Sequence, residues 1–438
     1  MMGDFFQRKW SLVVAIAAVS QSGRAQDYLY EKAPFDYWGG AAENPVTKLG
    51  DALARGEQTL PLQDHKALVE TLLKAWNISP SSQVLVFSKT SLQRDRITPS
   101  TPRALYFNEQ TYVGWVPGGM IEIAQMDPTL GPVFYQFDPV RPDRKVPKFD
   151  RVESCMSCHA SGMTDYLPGL MVRSVFPNAR GEPVFQAGTS LIDQQSPLKN
   201  RWGGWYVTGQ HGDLVHRGNA IATEDKERTT LDTTHTSNLE TLDRFFDVQR
   251  YLRPTSDILA LLVLDHQVGM HQRLTKASYE VRMALLRRQQ LMRELGETPG
   301  DGLSGSAEVV SRSHVEKILE FLLFCGEAAL PEGGIDGSAA FTTAFLSDRK
   351  ADPDGHSLKD LQRLTRLFKY RCSYLIYSAE WDSLPPVFLQ LLYHRLHEIL
   401  TSPVPLKGYE HLSPSERQTI LTILRATKSN LPAEWGKP

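Results

Sequence analysis

Cysteine is scarce in this chain: four in 438 residues, at positions 155, 158, 325 and 372. A zinc site of paired cysteines is excluded, because Cys325 and Cys372 stand 47 residues apart and make no second close pair. An excess of charge of one sign is lacking too. With 48 Lys and Arg against 50 Asp and Glu, nothing points to nucleic acid or an anionic membrane surface. Beyond the first 25 residues no apolar run reaches the roughly 20 residues that a membrane-crossing helix needs. No internal repeat is present.

The first 25 residues have a texture of their own. Arg8 and Lys9 face one acid, Asp4, and the apolar run Leu12-Val13-Val14-Ala15-Ile16-Ala17-Ala18-Val19 follows. Gly23-Arg24-Ala25 then offers small residues at the two positions a signal peptidase reads. The run is too short to span a bilayer. A removable export signal over 1–25 is therefore expected, with a mature chain from about Gln26 in the periplasm. No cysteine lies near the cleavage point, so no lipid anchor is expected there. Removing this segment takes three bases and one acid and leaves a net charge near −4.

One short motif carries specific chemistry. Cys155-Met156-Ser157-Cys158-His159 is C-x-x-C-H. Two thiols on one helical turn can bond to the two vinyl groups of one porphyrin, and the next residue points an imidazole at the iron. A thioredoxin-like pair would follow a buried strand and open a helix. Here Lys145 to Glu153 is charged and carries Pro147, which does not read as a core strand. The motif predicts one covalent haem c on Cys155 and Cys158 with His159 as axial ligand. Export agrees with it, because such thioether bonds are made after the chain crosses the membrane. Cys325 and Cys372 lack the paired spacing, so no second haem is expected. They read either as a disulfide, whose loop would contribute about 4 kcal/mol, or as two buried thiols in apolar surroundings.

The fold class expected is mainly α with a β-containing N-terminal part, α+β overall. Region 26–145 is mixed: a helix near 64–76 and short strands near 83–87, 103–107, 111–115, 120–124 and 132–137. Region 146–295 begins with the haem segment, mostly loop with short helices to about 220. It ends in a long helix near 254–293 that closes on Arg287-Arg288. A linker at 297–306 follows. Region 308–438 reads as a helical bundle, with helices near 308–325, 358–377, 384–401 and 413–427. At 41% apolar residues, so long a chain can bury two or three cores.

The second iron ligand must come from chain that has crossed to the other face. Met163 is one turn on and too near. Met171 would need a tight loop. Residues 201–219 offer His211 and His216 in a glycine-rich stretch whose Trp202, Trp205 and Tyr206 can pack on a ring. On the long helix, His266 and Met270 share a face, with His271 beside them. His394 and His397 read as a solvated helix face. His216 is the expected ligand, with His211, Met171, His271 and Met270 behind it. The reading that both histidines are surface polars stands beside it.

Cys155 to His159, Pro168-Gly169, Val175-Phe176, Trp202-Gly-Gly-Trp-Tyr-Val-Thr-Gly209 and Arg366 to Tyr377 together resemble a group of large, exported, single-haem c-type cytochromes from bacteria. The resemblance covers most of the mature chain and implies cytochrome character. Electron transfer through the haem is the expected function, with a redox partner protein or respiratory complex as partner. The alternatives are a haem enzyme with an open iron position (peroxidase-, oxygenase- or nitrite-type) and a subunit of a respiratory complex.

Overall fold

Runs of β-branched and aromatic residues, cut by Gly, Pro, Asn and Asp, dictate short strands in the first third of the chain. The computed structural model describes residues 28–436 except 41–42, 140–145, 226–227, 235, 299 and 301. The expected export signal and its expected cleavage near Gln26 lie outside the described residues. Helices α1 (Pro45–Ala54) and α2 (His65–Ala75) lead into strands β1 (Val84–Val86), β2 (Arg103–Phe107), β3 (Thr111–Trp115), β4 (Ile121–Asp127) and β5 (Gly131–Phe137). These five strands form one antiparallel sheet in sequence order. Its register sets Leu105 opposite Gly114, Gly114 opposite Glu122, and Ala124 opposite Phe134. Since side chains alternate along a strand, Arg103, Leu105, Tyr112, Gly114, Glu122, Ala124 and Phe134 share one face.

The middle of the chain is loop-rich, as its Gly and Pro content demands. It holds α3 (Met156–His159), the small hairpin of β6 (Arg173–Val175) and β7 (Thr189–Leu191), and a second hairpin of β8 (Ile221–Asp225) and β9 (Arg228–Asp232). Helix α4 (Ile258–Glu294) follows, capped by Asp257, whose carboxylate accepts from Leu259 N and Ala260 N at 3.0 Å each. After it come α5 (Gly305–Leu322), α6 (Ala339–Leu346), α7 (Ala379–Asp382), α8 (Pro386–Thr401) and α9 (Pro414–Thr427). Buried apolar residues from Tyr30 to Trp435 form one connected cluster, so the regions separated in the sequence share one core. No helix among the described residues is long and apolar enough to cross a membrane.

The architecture is α+β, and five expected strands and the helices at 64–76, 254–293, 308–325, 384–401 and 413–427 all form, within a few residues of their expected ends. The expected helix over 358–377 does not. Gln362 bends that segment: its side-chain oxygen accepts from the backbone N–H of Leu364 (3.0 Å), Thr365 (2.8 Å) and Arg366 (3.1 Å). Arg363 is left-handed at φ 63°, and only Tyr374–Tyr377 coils, as one 3₁₀ turn. Helices α1 and α6 and the β8–β9 hairpin were not expected. The cue for α1 was present: Asn44 accepts from Val46 N and Thr47 N, and Pro45 opens the first turn.

Candidate cofactor site

Helix α3 is a single turn, closed by Ala160 N donating to Met156 O at 2.9 Å. It holds Cys155, Cys158 and His159 at one end of a cleft with about 1130 Å³ of free space, part of it open to solvent. The floor is the sheet face that carries Arg103, Tyr112, Glu122 and Phe134. Segment 170–173 and Trp205 form one wall, and Leu264 and Val268 of α4 another. Elements from four separate stretches of chain thus converge on the motif.

His159 is clasped by Gly169 through two bonds. Gly169 N donates to the His159 carbonyl at 2.8 Å, and the imidazole Nδ1 lies 2.8 Å from the Gly169 carbonyl. A carbonyl only accepts, so Nδ1 carries the ring proton and Nε2 keeps its lone pair. Among the described residues Nε2 has no hydrogen-bond partner. The ring packs on Phe134, centroids 4.3 Å apart, and burial lowers its basicity. Burial, with the Glu122 carboxylate nearby, pushes the Cys155 thiol up to about 11.

Two arginines reach the same cleft. Arg103 Nη2 pairs with Glu122 Oε2 at 2.7 Å, and Ser91 Oγ donates to Glu122 at 3.3 Å. Arg173 Nη2 donates to Thr189 Oγ1 at 3.3 Å. The Nε of each is buried without an acceptor. Both were missed in the sequence. The available cues were a charge opening the strand Arg103-Ala-Leu-Tyr-Phe107 and a glycine inside Thr111-Tyr-Val-Gly-Trp115, which marks a close approach.

The structure does not bring His216, the expected iron ligand, to this cleft. His216 is buried elsewhere, against Trp202 at 5.6 Å. Gly218 N donates to its Nδ1 at 3.0 Å, so its proton is on Nε2, which points at His211 Nε2 at 3.3 Å. His211 Nε2 also accepts from Asn238 N at 3.1 Å, which puts the His211 proton on Nδ1. Every lone pair of the two rings is spent on protein. Neither is a surface polar: both are buried, and the rings hold a buried loop together. Of its aromatic residues only Trp205 lines the cleft, with Nε1 donating to Arg173 O at 2.7 Å.

The helix candidates are also accounted for. His266 Nε2 lies 2.7 Å from Ser373 Oγ, its Nδ1 against Gln194 Oε1, and its ring stacks on Phe324 at 4.8 Å. His271 Nε2 contacts Glu109 O at 3.1 Å and its Nδ1 lies 2.8 Å from Glu380 Oε1. Neither they nor Met270 line the cleft. Met171 does, and apart from the motif it is the one thioether or imidazole in the wall among the described residues. His394 is exposed on α8, as expected, but His397 is half-buried with its ring 5.1 Å from that of Trp435, so the pair is not one solvated face. Cys325 and Cys372 are separate thiols, raised by burial, Cys325 to about 12.

These residues suit a covalent porphyrin: two thiols, an imidazole with a bare inward Nε2, and a largely apolar cleft beside them. No family model, no curated protein and no solved structure matches the chain.

Proposed function

We propose that the chain is an exported, periplasmic c-type cytochrome that carries one haem on Cys155 and Cys158 and passes electrons to a redox partner protein or respiratory complex. The observation that carries this reading is the His159–Gly169 clasp. It sets the tautomer of an imidazole already adjacent to two cysteines at motif spacing, and leaves Nε2 with its lone pair free. Bound there, a haem supplies a one-electron ferric/ferrous couple. The chain's own contributions are orientation and exclusion of water. The Gly169 carbonyl holds the imidazole and raises its donor strength. Phe134, Leu264 and Val268 keep the surroundings apolar, which tunes the potential. Met171, which lines the cleft, would be the chain's second donor to the iron.

One observation favours a second reading, an enzyme with an open iron position. Met171 stands two residues after Gly169, on the segment that holds His159, and the cleft floor carries the Arg103–Glu122 pair. Two measurements decide. Intact mass of protein made with the haem c maturation machinery should exceed the chain by one haem, and Cys155→Ser with Cys158→Ser should abolish that addition. Bare-chain mass for the wild type ends the cytochrome reading. A ferrous form inert to carbon monoxide then supports electron transfer, whereas ready carbon monoxide binding gives the enzyme reading the lead.

A further inference from the structure

His271 on α4 and Glu380 on α7 face each other in the core, 1% and 6% exposed, with Nδ1 2.8 Å from Oε1. His271 Nε2 stands 3.1 Å from the Glu109 carbonyl, which only accepts, so that nitrogen carries a proton. Nδ1 of a neutral ring would then be a bare lone pair, and a lone pair so close to a carboxylate oxygen is repelled. No hydrogen bond from another described residue reaches Nδ1 or Oε1. The pair therefore holds one proton more than a neutral imidazole beside a carboxylate. Burial keeps such a pair together, since either charge alone would be uncompensated.

One aromatic ring separates this pair from the cleft. Tyr112 lines the cleft, and its ring meets the imidazole edge-on with centroids 6.0 Å apart. A second cavity, with about 1460 Å³ of free space partly open to solvent, comes within one residue of the same imidazole: Glu109, whose carbonyl holds Nε2, lines it with Gln267, Asp348 and Lys359. The other titratable and charged groups on the elements packed around the imidazole are committed. Burial holds the Tyr112 and Tyr374 phenols and His266 neutral. Lys359 is paired with Glu109 and Asp348, and Arg273 with Asp193 at 3.2 Å.

We infer that His271 and Glu380 are the proton partner of the haem: the pair takes one proton from solvent, by way of the second cavity, when the ferric iron accepts one electron, and releases it when the ferrous iron is oxidised. The inference rests on the haem reading above. An electron arriving in the cleft lowers the positive charge there, and charges divided by buried side chains are poorly screened. The two equilibria are linked, so the factor by which reduction raises the pair's proton affinity is the factor by which protonation raises the iron's electron affinity.

The test is a redox titration of the holoprotein across about pH 5–9, with the protons taken up per electron read by an indicator dye in unbuffered solution. Over the coupled stretch, each rise of one pH unit should move the wild-type equilibrium toward ferric by about tenfold, ~59 mV for one electron. His271→Gln keeps a donor for the Glu109 carbonyl but cannot titrate, and Glu380→Gln removes the acid. Both should flatten that stretch and abolish the uptake. If neither folds, Glu380→Asp decides: it keeps the carboxylate, drawn back by one methylene, and should displace the sloping stretch along the pH axis. A wild-type midpoint independent of pH overturns the inference, and so does a slope that stays in place in every folded variant. Wild-type protein without haem by intact mass overturns the cofactor reading instead.

Discussion

His159 and Gly169 hold each other by two hydrogen bonds of 2.8 Å, backbone to backbone and ring to carbonyl. Ten residues separate them in sequence, and the loop between is closed by their own polar groups. The consequence is chemical as well as mechanical, because one of these bonds decides which imidazole nitrogen stays bare.

Gly169→Ala should weaken this clasp. The new Cβ would stand 2.9 Å from Thr164 Cγ2 and closer still to Gln272 Oε1. Gln272 can swing aside, but Thr164 is buried and its hydroxyl reaches the His159 carbonyl. Overpacking of this kind costs about 1–3 kcal/mol. Urea unfolding should register that loss, and the haem Soret band should shift with the displaced imidazole.

His216→Ala should leave the haem spectrum of the holoprotein as it is and cost on the order of 2–3 kcal/mol, since it strips partners from Gly218 N–H and His211. Met171→Ala should do the reverse if Met171 ligates iron: a low-spin spectrum turns high-spin with little change in unfolding midpoint. A high-spin conversion in His216→Ala would instead make His216 the ligand.

Acid should destabilise the fold through buried neutral histidines. Burial pushes His216 and His266 down to about 3. The unfolded chain binds their protons below about 6.5 while the folded chain does not, so stability falls as pH drops from about 6.5 toward 3. His266→Gln should be less stable at pH 7 yet show a flatter acid limb in urea midpoints taken across that range. An equally steep limb would contradict this.

Arg201 and Asp265 form a pair at 3.2 Å, 2% and 0% exposed, with Trp202 Nε1 donating to the same carboxylate oxygen at 3.1 Å. Asp265→Ala strands a buried guanidinium and should cost about 3–5 kcal/mol. Arg201→Met combined with Asp265→Leu should recover only part of that loss in the same denaturation assay, because Trp202 Nε1 and the carbonyls of Ser196 and Gln194 lose their partners.

What could be read in the sequence was local. The strands of the sheet are bounded by turn residues, and α4 by a capping aspartate, so both depend on neighbours in the chain. The motif is likewise self-contained, because attachment to one porphyrin constrains residues within a single turn. The positions that differ depend on how a loop closes: the partners are two to four residues away, but only the folded loop aims them at one another. An apolar pattern over 358–377 suggests a helix, but one glutamine oxygen captures three backbone donors and the segment packs without coiling. His216 has suitable spacing for a ligand, and only the folded loop shows its lone pair committed to Gly218. The cleft has no signature in the sequence: Arg103, Glu122 and Arg173 meet the motif because strand register and chain crossing bring them there. Covalent spacing and capping act over a few residues. Cavities and buried hydrogen bonds are properties of the packed chain.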